Sequence, residues 1–102
     1  MALKKSVGKN GKTCAVTFSL SAEGAKGASK VWLCGDFNNW SASETPMKKL
    51  KDGSFSVKIS LECGHDYQFR YLLDGKSWEN DWAADKYVPA PFSNAENSVV
   101  CL

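Results

Sequence analysis

Three segments of the chain alternate apolar and polar residues with a period of two, the spacing of a strand with one dry face. Cys14, Val16, Phe18 and Leu20 alternate with Thr13, Ala15, Thr17 and Ser19. Phe55, Val57, Ile59 and Leu61 alternate with Ser54, Ser56, Lys58 and Ser60. Tyr67, Phe69, Tyr71 and Leu73 share one side of a third segment and leave Arg70 on the other. These sets predict a core containing Val16, Phe18, Val57, Ile59, Phe69 and Tyr71. Residues 31–34, 47–50 and 97–102 read as further strands, 22–29 as a small-residue loop and 36–46 as a long loop. Asp52-Gly53, Gly64-His65-Asp66 and Asp74-Gly75 are turn signals, the last favouring a tight hairpin. No segment shows a helical period. The predicted fold is all-β, an immunoglobulin-like antiparallel β-sandwich of about seven strands.

At 102 residues the chain fits one domain with a single core, and no second domain is expected. Residues 1–12 are polar, contain Gly8, Asn10 and Gly11, and read as a loosely held tail before a domain over 13–102. The 13 basic residues nearly balance 11 acidic ones and are scattered apart from Lys4-Lys5 and Lys48-Lys49, which is no nucleic-acid footprint. No apolar run of signal-peptide or membrane-spanning length occurs, so the expectation is a cytoplasmic protein with no membrane partner. Cys14, Cys34, Cys63 and Cys101 are widely separated, with no Cys-x-x-Cys pair and one histidine, His65, so no metal or other cofactor is expected. In a reducing compartment all four thiols are expected free, with Cys14 a small core residue.

The candidate chemistry is aromatic and polar. Val31-Trp32-Leu33-Cys34 runs into Gly35-Asp36-Phe37-Asn38-Asn39-Trp40, which sets Trp40 directly after turn formers. The segment ending in Asp74-Gly75 repeats this logic with Trp78. Two rim tryptophans and an outward Arg70 make an amphipathic surface suited to sugars, whose C–H faces lie on aromatic planes and whose hydroxyls meet planar donors and amides. Trp32, within a strand, is assigned to the core, while Trp82 packs its loop onto the sandwich or stands free. Glu79, Asp81 and Asp85 lack the ordered spacing of a calcium loop and are read as solvated or capping groups. His65 is read as exposed, with no nucleophile motif to activate, and there is no glycine-rich phosphate loop. An enzyme is not expected.

Gly35-Asp36-Phe37-Asn38-Asn39-Trp40, Phe69-Arg70-Tyr71-Leu72-Leu73-Asp74-Gly75-Lys76-Ser77-Trp78 and Asn97-Ser98-Val99-Val100 together resemble carbohydrate-binding module family 48. That family includes the isoamylase N-terminal early-set domain and the glycogen-binding domain of the AMP-activated protein kinase beta subunit. The resemblance covers roughly 13–102, and the chain is most similar to the family's short free-standing bacterial forms. It implies an early-set sandwich and a non-catalytic module for α-1,4-glucan, glycogen or maltodextrin. The implied carbohydrate-binding residues are Trp40 and Trp78 flanking the glucan, Arg70 where the kinase module has a lysine, and Asn97 bonding sugar hydroxyls. The loop before Asn97 departs from the kinase pattern of a leucine and a threonine, and Phe92 is the residue to replace the apolar contact. The alternative is a protein-interaction module of the same fold, docking onto an enzyme of glycogen metabolism or onto a second copy of itself.

Overall fold

Each of the three alternating segments forms a strand, and the inward residues of all three line the core. In the computed structural model, which describes residues 3–8, 11–90 and 95–102, nine strands follow in order. They are β1 (Lys4–Val7), β2 (Thr13–Leu20), β3 (Val31–Gly35), β4 (Lys48–Lys49), β5 (Phe55–Glu62), β6 (Asp66–Leu73), β7 (Ser77–Glu79), β8 (Lys86–Pro89) and β9 (Glu96–Cys101). One sheet has the order β1-β2-β5-β4; the other has β3-β6-β9-β8, with β7 also paired to β6. All pairings are antiparallel. This is the expected sandwich, enlarged by the short strands β1, β7 and β8.

Between the sheets, Val16, Phe18 and Leu20 of β2 and Phe55 of β5 meet Val31 and Leu33 of β3, Phe69, Tyr71 and Leu73 of β6, and Val100 of β9. Phe18 and Phe69 stand edge to face, 4.9 Å between centroids, a geometry favoured by the ring quadrupoles. Val57 and Ile59, expected inside, pack against this cluster but are only partly buried.

The segment expected as a loose tail contains β1, whose four residues pair with Lys4 opposite Thr17 through Val7 opposite Cys14. All its side chains are exposed, so no apolar alternation announces it. The backbone ladder and an ion pair from Lys5 to Asp85 hold it. Within the expected loop 22–29, Ala22–Ala25 forms one helical turn, capped by the Ser21 hydroxyl accepting the Gly24 N–H at 3.1 Å.

The expectation of four free thiols is corrected for two of them. Cys14 and Cys63 form a disulfide with Cα atoms 5.7 Å apart, within the span such bridges require. Register explains it. Cys14 pairs with Leu61, and Cys63 follows two residues later on the same side, so the pair closes across the end of the β2/β5 ladder. Cys34 and Cys101 are free.

Candidate functional site

The site is built on the face of β6 that points away from the core. Phe69, Tyr71 and Leu73 are turned inward, so Gln68, Arg70 and Leu72 occupy the outer face. On one side β3 sets Trp32 opposite Leu72 and Cys34 opposite Arg70. On the other side Trp78 of β7 is opposite Leu72, and Val99 of β9 is opposite Gln68. Trp32 is therefore not a core residue: its neighbours Val31 and Leu33 are buried between the sheets, while Trp32 is half-buried on the outer face.

Trp78 is held by the hairpin that precedes it. Asp74 and Gly75 both adopt left-handed backbone, with φ of 51° and 69°, as a primed turn demands. Asp74 Oδ1 accepts the backbone N–H groups of Ser29 and Lys30, each at 2.9 Å, which ties the hairpin to the approach of β3. Trp78 thus lies mid-strand in β7 rather than on a loop, and it is 46% exposed.

Trp40 is held by a more constrained turn. Gly35 ends β3 in extended backbone; a Cβ there would stand 2.6 Å from the Gln68 carbonyl oxygen and 2.8 Å from the Phe37 ring. Space, rather than a positive φ, demands glycine. A 3₁₀ turn, Asp36–Asn38, follows. Asn38 is buried. Its Oδ1 accepts the Gly35 N–H at 3.1 Å, and its Nδ2 donates to the Leu33 carbonyl at 2.9 Å and to Thr45 Oγ1 at 3.0 Å. Asn39 and Trp40 are both left-handed, φ 55° and 58°, an unusual conformation for a bulky side chain. The Trp40 N–H donates to the Gly35 carbonyl at 2.9 Å, and its indole Nε1–H donates to Asp36 Oδ1 at 3.0 Å. Backbone strain of this kind persists where surrounding contacts over-determine it.

These devices bring Trp40, Trp78, Arg70 and Asn97 together. The two indoles lie 6.4 Å apart between centroids with planes inclined at 65°. The Arg70 guanidinium is 5.9 Å from the Trp78 ring centroid, within reach of a cation–π contact. Arg70 Nε donates to Asn97 Oδ1 at 2.5 Å, and Asn97 Nδ2 donates to Gln68 Oε1 at 3.0 Å. Asn97 is only 4% exposed, so its carbonyl serves to hold the guanidinium. Phe92 lies outside the described residues. Gln68 joins the site without having been singled out in the sequence; its position two residues before Arg70, on the same face, was the available signal. Beneath, Cys34 Sγ donates to the Ser41 carbonyl at 3.1 Å, and burial pushes its thiol up, keeping it protonated.

The remaining candidates stand apart. Trp82 is 54% exposed, its indole N–H donating to Glu79 Oε1 at 3.3 Å. Glu79 pairs with Lys26 at 2.8 Å. Asp81 is buried rather than solvated and takes the capping role, accepting the Ala83 N–H at 2.8 Å, while its other oxygen accepts the Tyr71 hydroxyl at 2.7 Å. Among the described residues, no group of three or more His, Cys, Asp and Glu side chains is placed to hold a metal ion, and no helix is long and apolar enough to cross a membrane.

The arrangement offers two inclined aromatic planes beside a fork of N–H donors and a carboxamide, a combination matched to sugar rings and their hydroxyls. The sequence profile of carbohydrate-binding module 48, the isoamylase N-terminal domain, matches residues 8–88. A 1,4-alpha-glucan-branching enzyme of Equus caballus is 36% identical over 77 residues, covering 65% of this chain and 11% of that enzyme. The chain thus corresponds to a small part of the relative's length. With residues 8–88, most of its length, matched, the chain belongs to the carbohydrate-binding module 48 family, a family of glycan-binding modules.

Proposed function

We propose that the chain is a non-catalytic module that binds α-1,4-glucan, such as glycogen or maltodextrin, on the outer face of β6. The observation that carries this reading is the meeting of Trp40 and Trp78, rings 6.4 Å apart, beside Arg70. Trp40 and Trp78 stack on sugar faces; Arg70, with Nε committed to Asn97, turns its remaining N–H donors to hydroxyls. Asn97 contributes by fixing Arg70 and by its second amide N–H. Phe92 is assigned the apolar contact from the 92–96 loop. Binding without chemistry is the mechanism, so the chain is not itself an enzyme in this reading. Two stacking contacts and a few exposed hydrogen bonds give dissociation constants on the order of micromolar to millimolar.

A second reading, a protein-docking role toward a glycogen-metabolism enzyme or a second copy, draws support from Trp82 and Tyr87, which are exposed outside the Trp40/Trp78 pair. The proposed cytoplasmic setting carries a condition. There the Cys14–Cys63 bridge is subject to reduction, and the β2/β5 ladder then holds that end of the sheet. Co-sedimentation with glycogen tests the glucan reading. Wild type should pellet with the polysaccharide and folded Trp78→Ala should stay in solution; equal pelleting of the two would refute the assignment.

A further inference from the structure

The cross-strand row that contains Trp78 does not end at β6. Trp32 is opposite Leu72 from the other side, and Pro46 forms a bridge with Trp32 beyond it. Two hydrogen bonds fix that last segment along β3: Leu33 N–H to the Thr45 carbonyl at 2.9 Å and Met47 N–H to the Val31 carbonyl at 2.8 Å. Paired residues point to the same side of a sheet. Pro46, Trp32, Leu72 and Trp78 therefore form one line of side chains across the outer face. Adjacent strands lie about 4.8 Å apart, so the line is about 14 Å long.

Leu72 lies in the middle of this line and is only 3% exposed, although among the described residues no second sheet covers that face. An indole stands opposite it on either side, Trp32 from β3 and Trp78 from β7, so the row is apolar from end to end. Trp32 also borders a groove of about 310 Å³ at the β3 edge of the sandwich, where Lys30, Val31, Pro46 and Met47 meet Lys49 and Phe55 of the other sheet. The indole and the proline offer apolar surface to a sugar face, and the Lys30 and Lys49 ammonium groups offer donors to its hydroxyls.

We infer that Trp32 is a further stacking residue, forming an additional subsite that receives the continuation of an α-glucan chain seated on Trp40 and Trp78. This rests on the glucan reading above. Its consequence is a dependence on chain length. A short oligosaccharide occupies the Trp40/Trp78 pair alone, while a longer one also reaches Trp32.

The test is a titration of the wild-type chain with maltotriose and with maltoheptaose, followed by the NMR signals of the indole N–H groups, assigned with single Trp→Phe variants. Maltotriose should move the Trp40 and Trp78 signals, and maltoheptaose should move Trp32 as well. Folded Trp32→Thr should lose about 5- to 10-fold in affinity for maltoheptaose, the weight of one aromatic contact, with maltotriose binding unchanged. Movement of Trp40 and Trp78 without Trp32 at saturating maltoheptaose would overturn the additional subsite alone. Silence of all the indoles with both sugars would overturn the glucan reading and the subsite together. The wild-type spectra decide the matter even if Trp32→Thr does not fold.

Discussion

The Trp40 indole N–H donates to one carboxylate oxygen of Asp36 at 3.0 Å, while the other oxygen accepts the backbone N–H of Gln68 at 2.9 Å. One side chain thus couples the orientation of a strained, rim-mounted ring to β6, the strand that carries Arg70. Both bonds are exposed, so each contributes modestly to stability; together they limit the ring's freedom, which in the proposed glucan site would orient it before a ligand arrives. Preorganisation of this kind raises affinity by lowering the ordering cost on binding.

Asp36→Ala should therefore leave the fold largely intact and weaken β-cyclodextrin binding by about 1 kcal/mol, the scale of a lost orienting hydrogen bond. Isothermal titration beside a urea melt separates the two effects. A large loss of stability with unchanged affinity in the folded fraction would assign Asp36 to the fold instead.

Gly35→Ala should destabilise the chain by about 1–3 kcal/mol, the usual range for overpacking. The added methyl meets the Gln68 carbonyl oxygen at 2.6 Å, a backbone atom that cannot swing away, as well as the Phe37 ring. Urea unfolding of the variant measures it, and a change below about 0.5 kcal/mol would show that β3 and β6 separate without strain.

Thiol titration of unfolded, unreduced protein should find two reactive thiols, Cys34 and Cys101, with Cys14 and Cys63 consumed by their bridge. Replacing both bridged cysteines with alanine should lower stability by about 2–4 kcal/mol, because the crosslink closes a long loop. Recovery of four thiols would mean that the bridge is open in the protein as isolated.

Tyr71 is buried, and its hydroxyl donates to Asp81. Burial first, and then the Asp81 carboxylate, push its phenol well above the ordinary value. A raised folded pKa means the native state retains this proton after the unfolded chain has released it. The stabilising contribution is therefore complete below about pH 10, the unfolded value, and is lost as pH rises from there through the folded value. Urea midpoints should fall more steeply above pH 10 in wild type than in Tyr71→Phe. The variant should be less stable at neutral pH by about 1–3 kcal/mol, having left a buried acceptor short of a partner. Parallel curves for the two would remove Tyr71 from the alkaline transition.

The parts of the fold legible in the sequence are those where one face of a strand is dry. β2, β5 and β6 show this directly in their alternation, and Asp74-Gly75 marks the hairpin because two left-handed residues in a row are costly for most side chains. β1 is silent because its four side chains are all exposed and its order comes from backbone pairing. The Cys14–Cys63 bridge is silent because it depends on strand register. In the site, the turn formers before Trp40 and Trp78 pointed to rings at a rim, and the alternation in β6 set Arg70 outward. Trp32 was misread since the run Val31-Trp32-Leu33-Cys34 is apolar on both faces and offers no period to choose one. Asn97 could be located, but its burial beneath Arg70 depends on a partner strand far away in the chain.

Binding of α-glucan on the Trp40/Trp78 face is tested by a β-cyclodextrin titration followed by tryptophan fluorescence at low and high salt. A saturable change is expected, with a dissociation constant on the order of micromolar to millimolar, weakened by about 1–3 kcal/mol in folded Trp40→Ala and nearly independent of salt because the ligand is uncharged. No fluorescence response at millimolar ligand, or an equal response from Trp40→Ala, would contradict it.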